Sequence, residues 1–454
     1  MKPSRVFLFI AGVLVCLAVL CVVLPHRVEV GSRTLRWPTL AEVTGTEFPN
    51  MRMTDSDTTD LFVSLDTLGA LVALNTIPEI GEEQDVPDKP TEKETQVRSE
   101  KPAAPPVETD SASDPRRFLH TFYASLEESS SRAVRVMHYG DSQIEEDRMT
   151  QQLREALQNK YGGSGAGLLP LAQTIPSRTV RQELFMNGRR VSPQQGPRRY
   201  MVHGMKRDQR ADGLYGPMGQ MAVLNDSLVR GSEDITAVCT PLDGRPRYTR
   251  WLVFADDSID YTFAGDSVYL QGRGAVYGLS QQSSTGVIVD NIPMRGCLGL
   301  VFTKISSAQL RRFYREQNVK LIILQFGGNA IPFNENPGTI AAIVSGLRDQ
   351  VRYLKNCAPE ASFLFIGPSD MCRQVDGEWQ SYPMVGYMDR LLRKMANEEE
   401  IAYFSLYGWM GGSGSMLRWQ EIGFAGNDGV HFTRSGARRA GNAVVSWLLG
   451  PVEN

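Results

Sequence analysis

Val134-Arg135-Val136-Met137-His138-Tyr139-Gly140-Asp141-Ser142 is the stretch that decides the fold. Residues 134–139 read as a strand, and Gly140-Asp141-Ser142 ends it in a turn. A helix is predicted next, over residues 144–159, with Met149, Leu153 and Leu157 on one face. Strand, turn and helix in that order form the first half of a βαβ unit.

The same alternation returns later in the chain. Residues 287–289, 320–325, 362–366 and 401–405 read as strands. Residues 307–315, 339–355, 384–397 and 437–449 read as helices, the last of them closing the domain. Upstream, Phe118, Leu119, Phe122, Tyr123 and Leu126 fall at helical spacing, so ordered structure is predicted to begin near Asp114-Pro115. Strands alternating with helices predict a parallel sheet covered on both faces, wound by right-handed crossovers.

The middle of the chain breaks this rhythm. Residues 173–285 carry short β-like runs at 234–240, 248–254, 259–263 and 267–270. Turn residues such as Asp243-Gly244 and Gly272-Arg273-Gly274 separate them, which predicts an inserted all-β module. Its first part holds Arg178, Arg181, Arg189, Arg190, Arg198, Arg199, Lys206, Arg207 and Arg210 against Glu183 and Asp208. Such a stretch reads first as a solvated basic face, and second as a contact for an anionic polymer.

The N-terminal part reads differently again. Residues 6–24 are an unbroken apolar run whose length, about 28 Å as a helix, matches the hydrocarbon core of a bilayer. No A-x-A-like cleavage site follows at Pro25-His26-Arg27-Val28, which favours a retained anchor over a removed signal peptide. Lys2 and Arg5 before the run are balanced by Arg27, Arg33 and Arg36 after it, so flanking charge does not set the orientation. A cytoplasmic N-terminus with the remainder exported is the expectation. Residues 85–114, rich in Pro, Glu, Asp, Lys, Ser and Thr, cannot bury enough apolar surface to offset chain entropy. The division is therefore an anchor at 1–27, a disordered linker at 28–114, a catalytic domain at 115–172 and 286–454, and the β-rich module at 173–285 between its halves.

A formal net charge of -3 over 454 residues argues against nucleic acid as a partner. Cys239, Cys297, Cys357 and Cys372 match no metal-site spacing and are expected to be buried free thiols.

In open α/β sheets ligands gather beyond the carboxyl ends of the strands. Ser142 lies just past one predicted strand, Asn329 in Gln325-Phe326-Gly327-Gly328-Asn329 past another, and Gly296 beyond the strand at 287–289. A serine hydroxyl needs a base to take its proton. His26 borders the apolar run, His120 sits on the first helix, His203 lies in the module, and His138 is inside a strand. His431 stands in a loop before the last helix with Asp428 three positions upstream, close enough for the carboxylate to hold the second ring nitrogen. The backbone N–H groups of Ser142 and Gly296 and the side-chain amide of Asn329 are the candidate donors to an oxyanion.

Gly140-Asp141-Ser142, Gly296, Gly327-Gly328-Asn329 and Asp428-Gly429-Val430-His431 together resemble the SGNH, or GDSL-type, hydrolase superfamily. The inserted β module makes the layout similar to that of bacterial peptidoglycan O-acetylesterases. The resemblance covers residues 115–172 and 286–454. It implies a flavodoxin-like three-layer α/β fold, with Ser142 as nucleophile, His431 as base, Asp428 as its orienting acid, and Ser142, Gly296 and Asn329 as the oxyanion hole. Gly286 and Gly299 are the alternatives to Gly296. Asp141 belongs to the block but not to the triad, and Gln143 replaces the leucine of the GDSL name.

The resemblance further implies a serine esterase that removes O-acetyl groups from an envelope glycan such as peptidoglycan, with no metal or cofactor. The expected location is a bacterial inner membrane, single-pass, with the catalytic domain in the periplasm. The alternatives are an O-acetyltransferase with the same triad and a non-catalytic glycan-binding envelope protein.

Overall fold

The computed structural model describes residues 27–30, 33–36, 114–170, 176–186, 188–191, 222–224, 233–242, 250–255, 259–272 and 274–450. The apolar run at 6–24, most of the segment expected to be a linker, and Arg198, Arg199, Lys206, Arg207 and Arg210 of the basic stretch lie outside these residues. Among the described residues no helix is long and apolar enough to cross a membrane. At the head of the expected linker stands a small unit of its own, in which β1 (Arg27–Val30) pairs antiparallel with β2 (Arg33–Arg36).

The main unit opens with α1 (His120–Glu127), which leads into β3 (Val134–Gly140). A 3-10 turn, Ser142–Asp147, separates β3 from α2 (Thr150–Tyr161). The helix predicted from residue 144 thus begins six residues later. Glu145 adopts ψ 160 and Glu146 a φ of 60, angles that no helix accommodates.

Short β4 (Gly167–Leu169) follows, then the antiparallel strands β5 (Val180–Met186), β6 (Arg189–Val191), β7 (Ala222–Leu224), β8 (Glu233–Pro241), β9 (Arg250–Ala255), β10 (Ile259–Ala264), β11 (Ser267–Gly272) and β12 (Gly274–Gln282). The chain then returns to βα alternation. β13 (Val287–Pro293), α3 (Ser307–Glu316), β14 (Val319–Gln325), α4 (Pro337–Cys357) and β15 (Ser362–Ile366) come first. A hairpin of β16 (Cys372–Val375) and β17 (Glu378–Ser381) precedes α5 (Val385–Glu398) and β18 (Ala402–Phe404). The helices α6 (Leu406–Met410), α7 (Ser415–Glu421) and α8 (Arg434–Leu449) end the described chain.

Five strands form the central sheet in the order β13-β3-β14-β15-β18, every pair parallel. Numbered as they occur within that sheet, this is the order 2-1-3-4-5 of flavodoxin-like folds, with the reversal of strand order between β3 and β14. Strand residues alternate between two faces. Ile322 and Leu324 pack with α3, α4 and α5, while Leu321 and Ile323 pack with α1, α2 and α8. Burial on both faces explains why these strands read as continuous apolar runs.

The antiparallel strands form two sheets. One has the order β10-β11-β8-β5-β6; the other joins β4, β12 and β7, with β9 also paired to β12. Val180, Leu184, Ala237, Val268 and Leu270 of the first share a core with Leu169, Trp251 and Leu279 of the second. β4, within the stretch 115–172, is thus a strand of the antiparallel part. Its glycine-rich approach, Gly162 to Gly167, is a close-packing device: a Cβ on Gly167 would lie 2.3 Å from Asp290 Oδ1.

Beneath this junction lies a fully buried ion pair. Arg135 of β3 donates to both oxygens of Asp290 in β13, at 2.8 and 2.9 Å, and neither side chain is exposed. Asp290 also accepts the N–H of Leu168, and Arg135 reaches Ser280 and Gln282 of β12. Cys239, Cys357 and Cys372 are buried free thiols as expected, whereas Cys297 is only partly buried, its Sγ accepting the Gly299 N–H at 3.3 Å.

Candidate active site

The site lies at the switch point, where the theory of open α/β sheets places it. Ser142 follows the end of β3 as the first residue of the 3-10 turn, where a backbone N–H has no intrahelical acceptor. Its Oγ is 2.9 Å from His431 Nε2, across 289 residues of chain. His431 Nδ1 is in turn 2.7 Å from Asp428 Oδ2. The other carboxylate oxygen, Oδ1, accepts the N–H groups of Val430 and His431, both at 2.9 Å. Asp428 therefore folds its own loop as well as holding the imidazole. It does not cap α8; that role falls to Thr433, whose side chain accepts from Gly436.

Burial alone would raise the Asp428 carboxyl. The hydrogen bond and charge of His431 and the two backbone N–H groups outweigh it and bring the group down to about 2. A carboxyl held low favours the fold at pH values above its ordinary 3.8 and ceases to do so as pH falls toward 2. It is ionised wherever His431 could act as a base. Asp428→Asn is expected to lower turnover by on the order of 10³- to 10⁴-fold, because an amide no longer selects the tautomer that leaves Nε2 free. The check is kcat on an acetyl ester, and a loss below about tenfold would refute the assignment.

The loop is braced from outside by the β16–β17 hairpin. Cys372 N–H donates to Gly429 O at 2.8 Å. Gly429 has a φ of 70, and a Cβ there would lie 2.6 Å from Cys372 O and 2.9 Å from the Trp379 ring. Gln143 ties the turn that carries Ser142 to the same loop, its Nε2 donating to Val430 O at 2.7 Å.

Asn329 lies in the 3-10 turn Gly328–Ala330 just past β14, and its predecessor Gly327, not Asn329, takes the left-handed φ of 112. The Asn329 amide donates to Cys297 O at 3.1 Å and to Asp141 Oδ2 at 3.3 Å. Burial pushes the Asp141 carboxyl up to about 6, against the pull of the Gln143 N–H and the charge of His431. Gly296 sits in the turn after β13, with φ 70, and Met294 N–H two residues before it donates to Gly140 O at 2.7 Å. Ser142 and Asn329 both line the cleft, together with Asp141, Gln143, Phe326, Pro332, Ser369, Met371 and Val430. Among the described residues lining it, Gly296 is absent. Gly286 is tied to the far end of β3 by Val134 N–H, and Gly299 packs against Phe326.

His138 is buried in β3, its ring nitrogens against Thr150 Oγ1 and Gln325 Oε1, and burial pushes it down to about 4. It is a neutral strand residue, as its sequence position suggested.

Sequence reasoning missed several residues around the site. Ser369 and Met371 left no signal, since a polar or apolar residue after a strand is commonplace, and Gln143 was noted only as a departure from the GDSL block, not as a tie to the His431 loop. Arg178 was grouped with a solvated basic face, but its guanidinium grips Glu146 at 2.8 and 2.6 Å. The consecutive acids Glu145-Glu146-Asp147, beginning three residues after the serine, were the available clue.

A serine hydroxyl, an imidazole and a carboxylate are thus aligned at the switch point of a 2-1-3-4-5 parallel sheet, the arrangement that the resemblance to SGNH-type hydrolases implies. No protein-family model matches the chain, and no curated protein does. Among solved structures, a peptidoglycan O-acetylesterase is similar over 75% of this chain and 96% of that one, at 20% identity and a TM-score of 0.56. Est24, a carbohydrate acetylesterase from Sinorhizobium meliloti, is similar over 35% of this chain and 77% of its own, at 16% identity and a TM-score of 0.26. TesA is similar over 36% of this chain and 78% of its own, at 18% identity and a TM-score of 0.26. The first of these likenesses shows that this chain and the peptidoglycan O-acetylesterase share a fold.

Proposed function

We propose that the protein is a serine esterase that removes O-acetyl groups from a cell-envelope carbohydrate such as peptidoglycan. The observation that carries this reading is the unbroken line from Ser142 Oγ to His431 Nε2 and from His431 Nδ1 to Asp428 Oδ2. The substrate class is taken from the peptidoglycan O-acetylesterase that shares the fold.

In this mechanism Ser142 Oγ attacks the ester carbonyl carbon while His431 Nε2 takes its proton. The carbonyl oxygen becomes an oxyanion, held by the N–H group of Ser142 and by the Asn329 amide, which turns one N–H away from Asp141. The bond to the sugar oxygen breaks, and His431 returns the proton to that oxygen. Water, deprotonated by His431, then attacks the acetyl-serine carbonyl; the bond to Ser142 Oγ breaks, His431 returns the proton to that oxygen, and acetate leaves. Each oxyanion donor contributes about 2.7–4 kcal/mol of transition-state stabilisation. Residues 6–24 anchor the protein in a bacterial inner membrane, and the linker extends the catalytic domain into the periplasm.

The test is acetate release by the purified protein from O-acetylated peptidoglycan and O-acetylated polysaccharide, side by side. Acetate from peptidoglycan is the expected result. Transfer of the acetyl group to a glycan hydroxyl would make the protein a transferase instead. No reaction with either substrate, and no labelling of Ser142 by an organophosphonate, would refute an acyl-enzyme.

A further inference from the structure

The three acids after the nucleophile are held in an unusual way. Glu146 and Asp147 have φ values of 60 and 65, in the left-handed region that side chains other than glycine rarely adopt. Such residues persist only where their surroundings fix them, and they gather at functional sites. Each of the three carboxylates is held by an arginine from a distant segment or from α2, and Glu146 also by the nearby Arg148 at 3.3 Å. Arg295, beside Gly296, holds Glu145 at 2.7 and 2.6 Å. Arg178, just before β5, holds Glu146, and its backbone N–H donates to Glu146 O at 2.9 Å. Arg154 of α2 holds Asp147, which also accepts from Thr179 Oγ1 at 2.6 Å.

Guanidinium–carboxylate pairs are strong and directional; Arg295 and Arg154 each reach both oxygens of their acid, while Arg178 places two N–H groups on Glu146 Oε2. Of the four residues that hold the two left-handed positions, Arg148, Arg154, Arg178 and Thr179, the last two stand at the entry to the antiparallel sheet. The turn they hold starts at Ser142 itself.

We propose that Arg178 is a positioning residue for Ser142: by gripping Glu146 it maintains the left-handed turn, and so makes the aim of the nucleophile depend on the seating of the antiparallel sheet. This rests on the esterase reading for its activity readout. Removing the grip leaves Glu146 with only the longer contact to Arg148, at 3.3 Å, and lets it relax toward negative φ, which rotates the chain entering α2 and slackens the turn that begins at Ser142.

The experiment compares the wild type, Arg178→Met, and Arg178→Met combined with Glu146→Gly. The substrate is 4-nitrophenyl acetate, small enough to contact the cleft alone. Amide hydrogen exchange over residues 142–147 is measured in parallel. Arg178→Met should lower kcat about tenfold with KM within about twofold, and should speed exchange in the turn. Glycine adopts positive φ freely, so Glu146→Gly in the same chain should return kcat to within about threefold of wild type and slow the exchange again. An unchanged kcat in Arg178→Met, or a loss that glycine does not rescue, overturns the proposal. So does failure of both variants to fold, because Arg178 would then serve the fold at large. A wild type inactive on every ester sinks the esterase reading instead, and the exchange pattern still decides the role of Arg178.

Discussion

Ser142→Ala is expected to reduce acetyl-ester turnover by on the order of 10⁶-fold, since losing the nucleophile costs about as much as losing a whole triad. Its fold should survive. The hydroxyl makes its hydrogen bond to His431 Nε2, and His431 keeps its place through Asp428 and the loop N–H groups. A single neutral hydrogen bond contributes only about 0.5–1.5 kcal/mol net. Acetate release and a thermal melt on the same sample check both halves. Activity within about tenfold of wild type would refute an acyl-enzyme on this serine.

The largest stability effect is expected at Asp290. Asp290→Ala strands the Arg135 guanidinium, fully buried between β3, β13 and β12, and also orphans the Leu168 N–H. Removing one partner of a buried pair costs about 3–5 kcal/mol. The melting midpoint should fall by at least about 5 °C. Replacing both partners, Arg135→Met with Asp290→Leu, should cost less than the single change, because no charge is left without a counterpart. A double variant less stable than Asp290→Ala would show that the pair has been misread.

The parallel sheet was legible because strands covered on both faces must be apolar along their whole length. Ile322-Ile323-Leu324 and Phe363-Leu364-Phe365 carry that signature plainly. The Asp428–His431 contact was legible because it is local: a three-residue offset in a loop brings the two groups within reach. The line to Ser142 needed the order of strands in the sheet, which spacing implies through the crossover rule.

Other features were not legible, for physical reasons. β12 ends in Ser280-Gln281-Gln282, buried polar residues whose Ser280 and Gln282 face Arg135, so no apolar alternation marks it. The β16–β17 hairpin is mostly exposed, and its purpose is to brace Gly429 from a distance. The late start of α2 arises from ion pairs with residues 32 and 150 positions away, which no local window contains.

The 289 residues between Ser142 and His431 have a consequence for biosynthesis. At roughly 5–20 residues per second, a ribosome needs about 15–60 s to travel from one to the other. Throughout that interval the emerging polypeptide owns an attacking hydroxyl without any acceptor for its hydrogen. On the proposed mechanism the chemistry would begin only once the segment that carries His431 has docked beside Ser142, and a product truncated before it would be inert.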